Sequence, residues 1–516
     1  MNLINDAWIP VRRADGTTEK IEPWRITDHV GNDNSPIVAV ASPRPDFDGA
    51  LTQFLIGLLQ TTCTPETETA WWDWLETPPP LDVLRTRFRS VTHAFALDGK
   101  KAFMQDFNPE QLDKRFSIAA LLIGSPGENS DTDLFIKQGT VNQLCPHCVA
   151  AAVFSLQTNA PEGGRGYRTG LRGGGPLTTL VMGSSLWLTC WNNVLERTRY
   201  LGGSVLEKQE DYDRFPWLAT TRTSEGKPPA GITTSIDVHP DQQYWALPRR
   251  IRLVAEETES AICDVCGAAS SQIHRYFLTK NYGVNYVGFE HPLSPHYVKD
   301  NTLLPIHPRP GGIGYRYWLG LVVGNGDGTH KPARVIAQYR TCTTKDGLLW
   351  AFGYDMKSNK ARCWYDAVMP ILTIEEGLES VFTAQVEQLI QSANWVSDAL
   401  RKRVMDALFG DVDARGDIGF VQMHFCADTE VSFFGTVRQL RDALKQGTGD
   451  RQILENWLSS LRRAALRVFD TYSQTGDFDA TDPRRVALAR NELAKALNGK
   501  KLRDLLGLPR QERSVA

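Results

Sequence analysis

Cys145-Pro146-His147-Cys148 and Cys263-Asp264-Val265-Cys266-Gly267 decide how this chain is read, because each has the spacing of half a tetrahedral zinc site. A Cys-x-x-Cys turn lets two thiolates converge on one ion, and two such turns complete four sulfur ligands. If the pairs meet, they pin segments more than a hundred residues apart. The alternative is two unrelated reduced pairs, one of them a redox motif, and His147 is a substitute ligand inside the first turn. Four thiolates leave no open coordination position, so a zinc held by Cys145, Cys148, Cys263 and Cys266 staples structure and does not activate water.

The other five cysteines, Cys63, Cys190, Cys342, Cys363 and Cys426, stand singly, which does not make a disulfide framework and favours metal ligation in a reducing compartment. No export signal or long apolar run is read in the chain, so the expected location is the cytoplasm, without membrane contact. At 516 residues there is room for roughly two to four domains. A net charge of -3 advertises neither nucleic acid nor membrane, so any basic surface has to be local.

Outward from the cysteines, the order of patterns predicts an α+β fold. Ala7 to Val11 followed by Ala14-Asp15-Gly16 reads as the start of a β-hairpin. Leu51, Phe54, Leu55, Leu58 and Leu59 recur at helical spacing, and Trp71, Trp72 and Trp74 read as core of a second helix. Trp318–Val323 and Ala333–Tyr339 read as strands around a turn at 324–328. Beyond Pro370 the apolar stripes 378–390 and 454–472, with helices near 396–409, 428–445 and 484–498, read as a four-helix-type bundle. The expected domains are therefore a large mixed N-terminal domain over 1–368, carrying the structural zinc site, and an all-helical bundle over 369–516. Arg438, Arg441, Lys445, Arg462, Arg463, Arg467, Arg484, Arg485 and Arg490 on the bundle read either as a solvated face or as a track for phosphates.

Chemistry-bearing motifs are few. In 163–175 glycines alternate with Arg165, Arg168 and Arg172, which lets a backbone approach another molecule closely while cations meet phosphates or base edges. The spacing misses both common nucleotide fingerprints. His291, His296 and His307 sit among prolines with no carboxylate at metal spacing. No serine elbow or cysteine nucleophile with a base emerges, so no catalytic residue is assigned and a non-enzyme is expected.

Taken together, Met1–Val11, Pro43-Arg44, Phe103-Met104-Gln105, the two cysteine pairs and Thr169-Gly170-Leu171-Arg172-Gly173-Gly174, in that order, resemble the CasA family, the large subunits of the type I-E CRISPR surveillance complex Cascade. The resemblance implies an antiviral-defence ribonucleoprotein subunit that recognises the protospacer-adjacent motif (PAM) in double-stranded target DNA. It also implies help in opening the duplex for crRNA pairing and recruitment of a helicase-nuclease, with the other Cascade subunits as partners. By the same resemblance Phe135, Ile136 and Lys137 match a loop that contacts crRNA and DNA. Gly163, Gly164, Arg165 and Gly166 match a glycine loop laid against the motif, with Arg165 in place of a glycine. Lys280 matches a lysine that enters the minor groove, and Asn359, Lys360 and Ala361 match the tip of a wedge hairpin, Lys360 taking the place of a glutamine. The rival readings are a zinc-dependent hydrolase or nuclease, and a protein-binding scaffold without DNA contact.

Overall fold

The structure is a computed structural model that describes residues 1–31, 35–126, 136–202, 210–226, 231–325, 328–357, 360–409, 418–473 and 482–509. The chain divides into two compact units. One comprises Met1–Pro308, Pro332–Thr343 and Gly347–Asp366, the other Arg309–Lys331, Thr344–Asp346 and Ala367–Ala516.

The first unit is mixed α and β and is organised around the helix Pro45–Thr62, which follows Pro43-Arg44 and carries Pro45 at its first position. Fourteen of its residues are buried, so it is a central helix with no solvent stripe of any width. Phe54 lies edge-on to Trp8, Phe95, Phe103, Phe154 and Trp245 at ring separations of 5.3–5.9 Å, the geometry that aromatic quadrupoles favour. The expected N-terminal hairpin is present: Ile9–Arg13 pairs antiparallel with Thr18–Ile21, and Ile37–Val40 adds a third strand on the other side. Trp71, in the helix Glu68–Glu76, is fully buried, and Trp74 packs on Trp191.

Two sheets, the second of which reaches beyond Asp366 at one strand end, carry the site. In one, the strand Ala269–Lys280 lies between Lys114–Ser117 and Arg250–Ile262. In the other, Gly347–Lys357 lies between Thr178–Met182 and Lys360–Ile371.

The second unit is helical. Glu379–Leu408, Gly419–Gln446, Arg451–Ser473 and Pro483–Asn498 are its long helices, followed by the short Lys500–Leu505. The stripes at 378–390 and 396–409, read as two helices, belong to one continuous helix. The polar Ser392 that interrupts the apolar run is buried and accepts a hydrogen bond from the Trp457 indole at 3.1 Å. Gly447 ends the second helix in the left-handed conformation, φ +62°, with the Thr448 amide closing back on the Ala443 carbonyl. Asp482 caps the last long helix by accepting from the Arg484 amide, ahead of Pro483.

The strand pair expected across 318–339 is not there. Trp318–Val322 and Arg334–Cys342 are helices. A short apolar run cannot by itself tell a buried helix from a strand, and here packing decides. Tyr315 stacks on Phe433 at 4.2 Å, and the Trp318 indole donates to the Pro370 carbonyl at 2.6 Å. Among the described residues no helix is long and apolar enough to cross a membrane.

Candidate metal centre and nucleic-acid interface

Cys145 is the N-cap residue of the helix Pro146–Asn159, and Pro146 sets the first helical φ, so the first pair spans one turn of helix. Cys263 to Cys266 form the turn between Arg250–Ile262 and Ala269–Lys280. That turn is closed by the Cys263 amide on the Ala268 carbonyl and the Gly267 amide on the Cys263 carbonyl, both at 2.9 Å. Asp264 docks the turn onto the approach to Cys145 by accepting from the Asn142 and Gln143 amides at 2.6 and 2.9 Å. Leu144 and His274 then exchange backbone hydrogen bonds.

The result brings all four sulfurs within 4.8 Å of one another, with Cys145 and Cys266 3.7 Å apart. Four sulfurs around a zinc at about 2.3 Å stand roughly 3.8 Å apart, so the donor set fits such an ion. The sulfurs are also coupled to one another. Hydrogen bonds from the Cys145 and Cys148 thiols hold Cys263 well below the ordinary thiol range, while hydrogen bonding to Cys145 and Cys263, with burial, pushes Cys148 well above it. Crowded sulfurs ionise together only when a cation offsets their charge. His147 is not part of the cluster. Burial, reinforced by the Lys20 charge, pushes it down to about 4, and its neutral Nδ1 lies 2.7 Å from Lys20 Nζ.

The glycine-rich stretch runs from the end of the helix Pro146–Asn159 and is tied down at both ends. At its start the Tyr282 amide donates to the Gly166 carbonyl at 2.7 Å, and the Asn281 side-chain amide donates to the Arg165 carbonyl at 2.7 Å. These residues follow Lys280 directly, so the loop and the lysine are fixed beside each other. At its end Gly175 lies against Tyr354 and Met356 of the second sheet; a Cβ there would come within 2.9 Å of both. The same stretch thus spans from the Lys280 strand to the hairpin that carries Lys360.

Gly164 and Gly166 both have positive φ, +85° and +79°, but differ in surroundings. Open space surrounds Gly164, whereas a Cβ on Gly166 would meet the Tyr282 ring at 2.9 Å. Gly164→Ala is expected to cost only the left-handed backbone penalty, about 1–2 kcal/mol. Gly166→Ala should add overpacking of about 1–3 kcal/mol. Denaturant unfolding of the two variants checks this, and equal losses would mean that Tyr282 yields freely.

The hairpin is held rigid near its tip. Asp355 accepts from Arg362 across the two strands at 2.6 Å, and the Tyr354 phenol donates to Asp46 at 2.6 Å, itself paired with Arg44. Lys357 and Lys360 are exposed at the strand ends and Ala361 is half-buried. Asn359 lies outside the described residues, as does Phe135. Of the crRNA-loop candidates that are described, Ile136 is buried and Lys137 is exposed.

Charge distribution separates the two basic regions. On the helical unit Arg441, Lys445, Arg467 and Arg490 form ion pairs with Asp346, Glu375, Asp428 and Asp470. Arg462 and Arg485 donate to the Leu497 and Ala407 carbonyls near helix C-termini, whereas Arg438, Arg463 and Arg484 have no ion pair among the described residues, so this face is engaged within the protein only in part. Around the glycine loop, by contrast, Arg165, Arg168, Arg172, Arg249 and Lys280 have no ion pair among the described residues. Arg168 donates to Ser224, and the buried Arg172 donates to Gln53, Thr178 and Ser294. Arg249 lies 4.8 Å from the Tyr167 ring centre and has two buried side-chain nitrogens, Nε and Nη1, without an acceptor. Burial pushes Arg172 down to about 9 and Arg249 to about 10, which leaves both charged at neutral pH. Asn281, Tyr282, Ser224 and Arg249 escaped the sequence reading because no motif marks them; only strand register and packing place them here.

The family model for CRISPR-associated protein Cse1 matches residues 2–468. Among solved structures the chain is similar to CasA of Thermus thermophilus, at TM-score 0.66 and 16% identity, over 98% of this chain and 99% of that one. It is similar to Thermobifida fusca Cse1 at TM-score 0.65 and 14% identity, over 98% of each chain. A chain of a CRISPR RNA-guided surveillance complex gives TM-score 0.69 and 13% identity, over 97% of this chain and 99% of that one. At these identities the structural matches carry the fold.

Proposed function

Since the chain belongs to the family of CRISPR-associated protein Cse1, we propose that it is the motif-reading, non-catalytic subunit of a type I-E surveillance complex assembled on crRNA. It recognises the PAM in duplex DNA, starts strand separation for guide pairing, and recruits the helicase-nuclease. The observation that carries this reading is the positive charge of Arg165, Arg168 and Lys280, without ion pairs among the described residues, around a glycine loop whose ends are anchored beside Lys280 and beside the Lys360 hairpin. Phosphates supply the charge that this surface lacks.

Within the reading, Gly163, Gly164, Arg165 and Gly166 lie along the backbone of the motif, and Lys280 donates into the minor groove. The minor-groove pattern is degenerate, so one lysine there tolerates several motifs. Lys360, with Asn359 and Ala361 beside it, wedges under the first target pair, and its ammonium grips a phosphate. Phe135, Ile136 and Lys137 reach crRNA and DNA from the approach to Cys145. The four cysteines hold a structural zinc that keeps this approach, the glycine loop and the Lys280 strand in register. The hydrolase reading wants an open coordination position, which a set of four cysteine ligands does not leave.

Lys280→Ala is expected to weaken binding of a motif-bearing duplex by about 1–3 kcal/mol and to reduce discrimination against a scrambled duplex, while assembly with partner subunits is unchanged. Titration of both duplexes against the assembled complex measures this. Equal affinity of the parent for the two duplexes would overturn the reading.

A further inference from the structure

Beside Lys280 the three-stranded sheet carries a second lysine for which neither motif nor spacing gives a role. Lys114 opens the strand Lys114–Ser117 and pairs with Thr279. Directly opposed residues in an antiparallel ladder share a face, so Lys114 lies on the face of Thr279, and Lys280 on the other. Phe116 and Phe277 continue the Lys114 face, their rings 6.1 Å apart. Arg115 alternates to the Lys280 face, where it stacks over Tyr276.

Asn281 connects this face to the glycine loop. Its side-chain oxygen accepts from Lys114 Nζ at 3.3 Å, and its side-chain nitrogen donates to the Arg165 carbonyl at 2.7 Å. Only one orientation of the amide satisfies both a cation and a carbonyl, so the two contacts fix each other. Lys114 is exposed, and it has no ion pair among the described residues. One of its three N–H donors points to Asn281, and the others are open to an acceptor from outside.

We propose that Lys114 is a further DNA-binding residue: it contacts the phosphodiester backbone of the duplex on the glycine-loop side of the sheet, held in place by Asn281. The inference rests on the reading of this surface as a duplex-binding one. Lys280 then reads the groove from one face while Lys114 holds a flanking phosphate from the other. A phosphate contact carries no base information, so Lys114 contributes affinity without discrimination.

The test compares the full chain with its Lys114→Ala and Lys114→Arg variants, titrated with a motif duplex and a scrambled duplex over a range of salt. In Lys114→Ala both affinities should fall by the same factor, and the slope of log K against log salt should flatten by about 0.9, the value for one phosphate. Between 50 and 200 mM salt that difference amounts to about 3.5-fold. Lys114→Arg should restore the slope. An unchanged slope in Lys114→Ala, or a loss seen only with a single-stranded RNA of equal length, overturns the proposal. Lys280→Ala, run in parallel, separates the two ideas. If it loses discrimination while Lys114→Ala keeps its slope, only the Lys114 contact fails. If the parent itself does not distinguish the two duplexes, the motif-reading function fails, and the slope still decides whether Lys114 touches phosphate.

Discussion

Cys263→Ser is expected to abolish binding of the proposed zinc and to loosen the junction between the turn 263–268 and the helix Pro146–Asn159. A serine oxygen is a poor substitute for thiolate at zinc, and the three sulfurs left behind no longer close the coordination shell. In small zinc domains the ion contributes about 10–16 kcal/mol of binding free energy at neutral pH, most of which appears as folding free energy. That figure is a ceiling here. Asp264 and the Leu144–His274 bridge hold the same junction without the metal, so the variant should keep its outline fold and lose only part of that sum. Elemental analysis of purified parent and variant, together with thermal unfolding with and without a chelator, measures both effects. A parent that carries no stoichiometric zinc, or whose unfolding is indifferent to the chelator, would sink the staple.

Asp106→Ala should be nearly as damaging, for a different reason. Asp106 and Arg250 are 0% and 2% exposed, and their ion pair is 2.5 Å long. Removing the carboxylate leaves a buried guanidinium whose remaining acceptor is Gln111 at 3.0 Å, a situation that costs about 3–5 kcal/mol. Arg250 stands opposite Lys280 in the ladder, and the Asp106 amide donates to the Ile251 carbonyl, so the disturbance arrives at the base of the lysine. Duplex affinity should therefore fall along with stability. The double variant Asp106→Leu/Arg250→Met removes both charges at once and should recover much of the loss, since well-packed apolar groups often replace buried pairs without cost. Denaturant unfolding of the single and double variants checks this, and a single-variant loss below about 1 kcal/mol would mean that water reaches the pair.

Local patterns were legible in the sequence alone. The hairpin at Ile9–Ile21, the central helix around Phe54 and the last long helix, Pro483–Asn498, announce themselves through turn residues and period. Legibility failed where pattern is ambiguous. The apolar run at Trp318 is too short to distinguish helix from strand, and the continuity of Glu379–Leu408 through Ser392 involves a partner, Trp457, that lies 65 residues further on.

Residue order alone sets the ligand spacing of each cysteine pair, the glycine and arginine content of 163–175, and the helical character of the C-terminal region. Those properties depend on neighbours a few residues apart, which spacing displays directly. It took the folded chain to establish that Cys145 meets Cys266 across 121 residues, that Arg165 meets Asn281 across 116, and that Lys114 comes beside Asn281. Contacts at such separations follow from strand register and core packing, and a one-residue slip of the strand Ala269–Lys280 would carry Lys280 to the opposite face and Asn281 away from the loop.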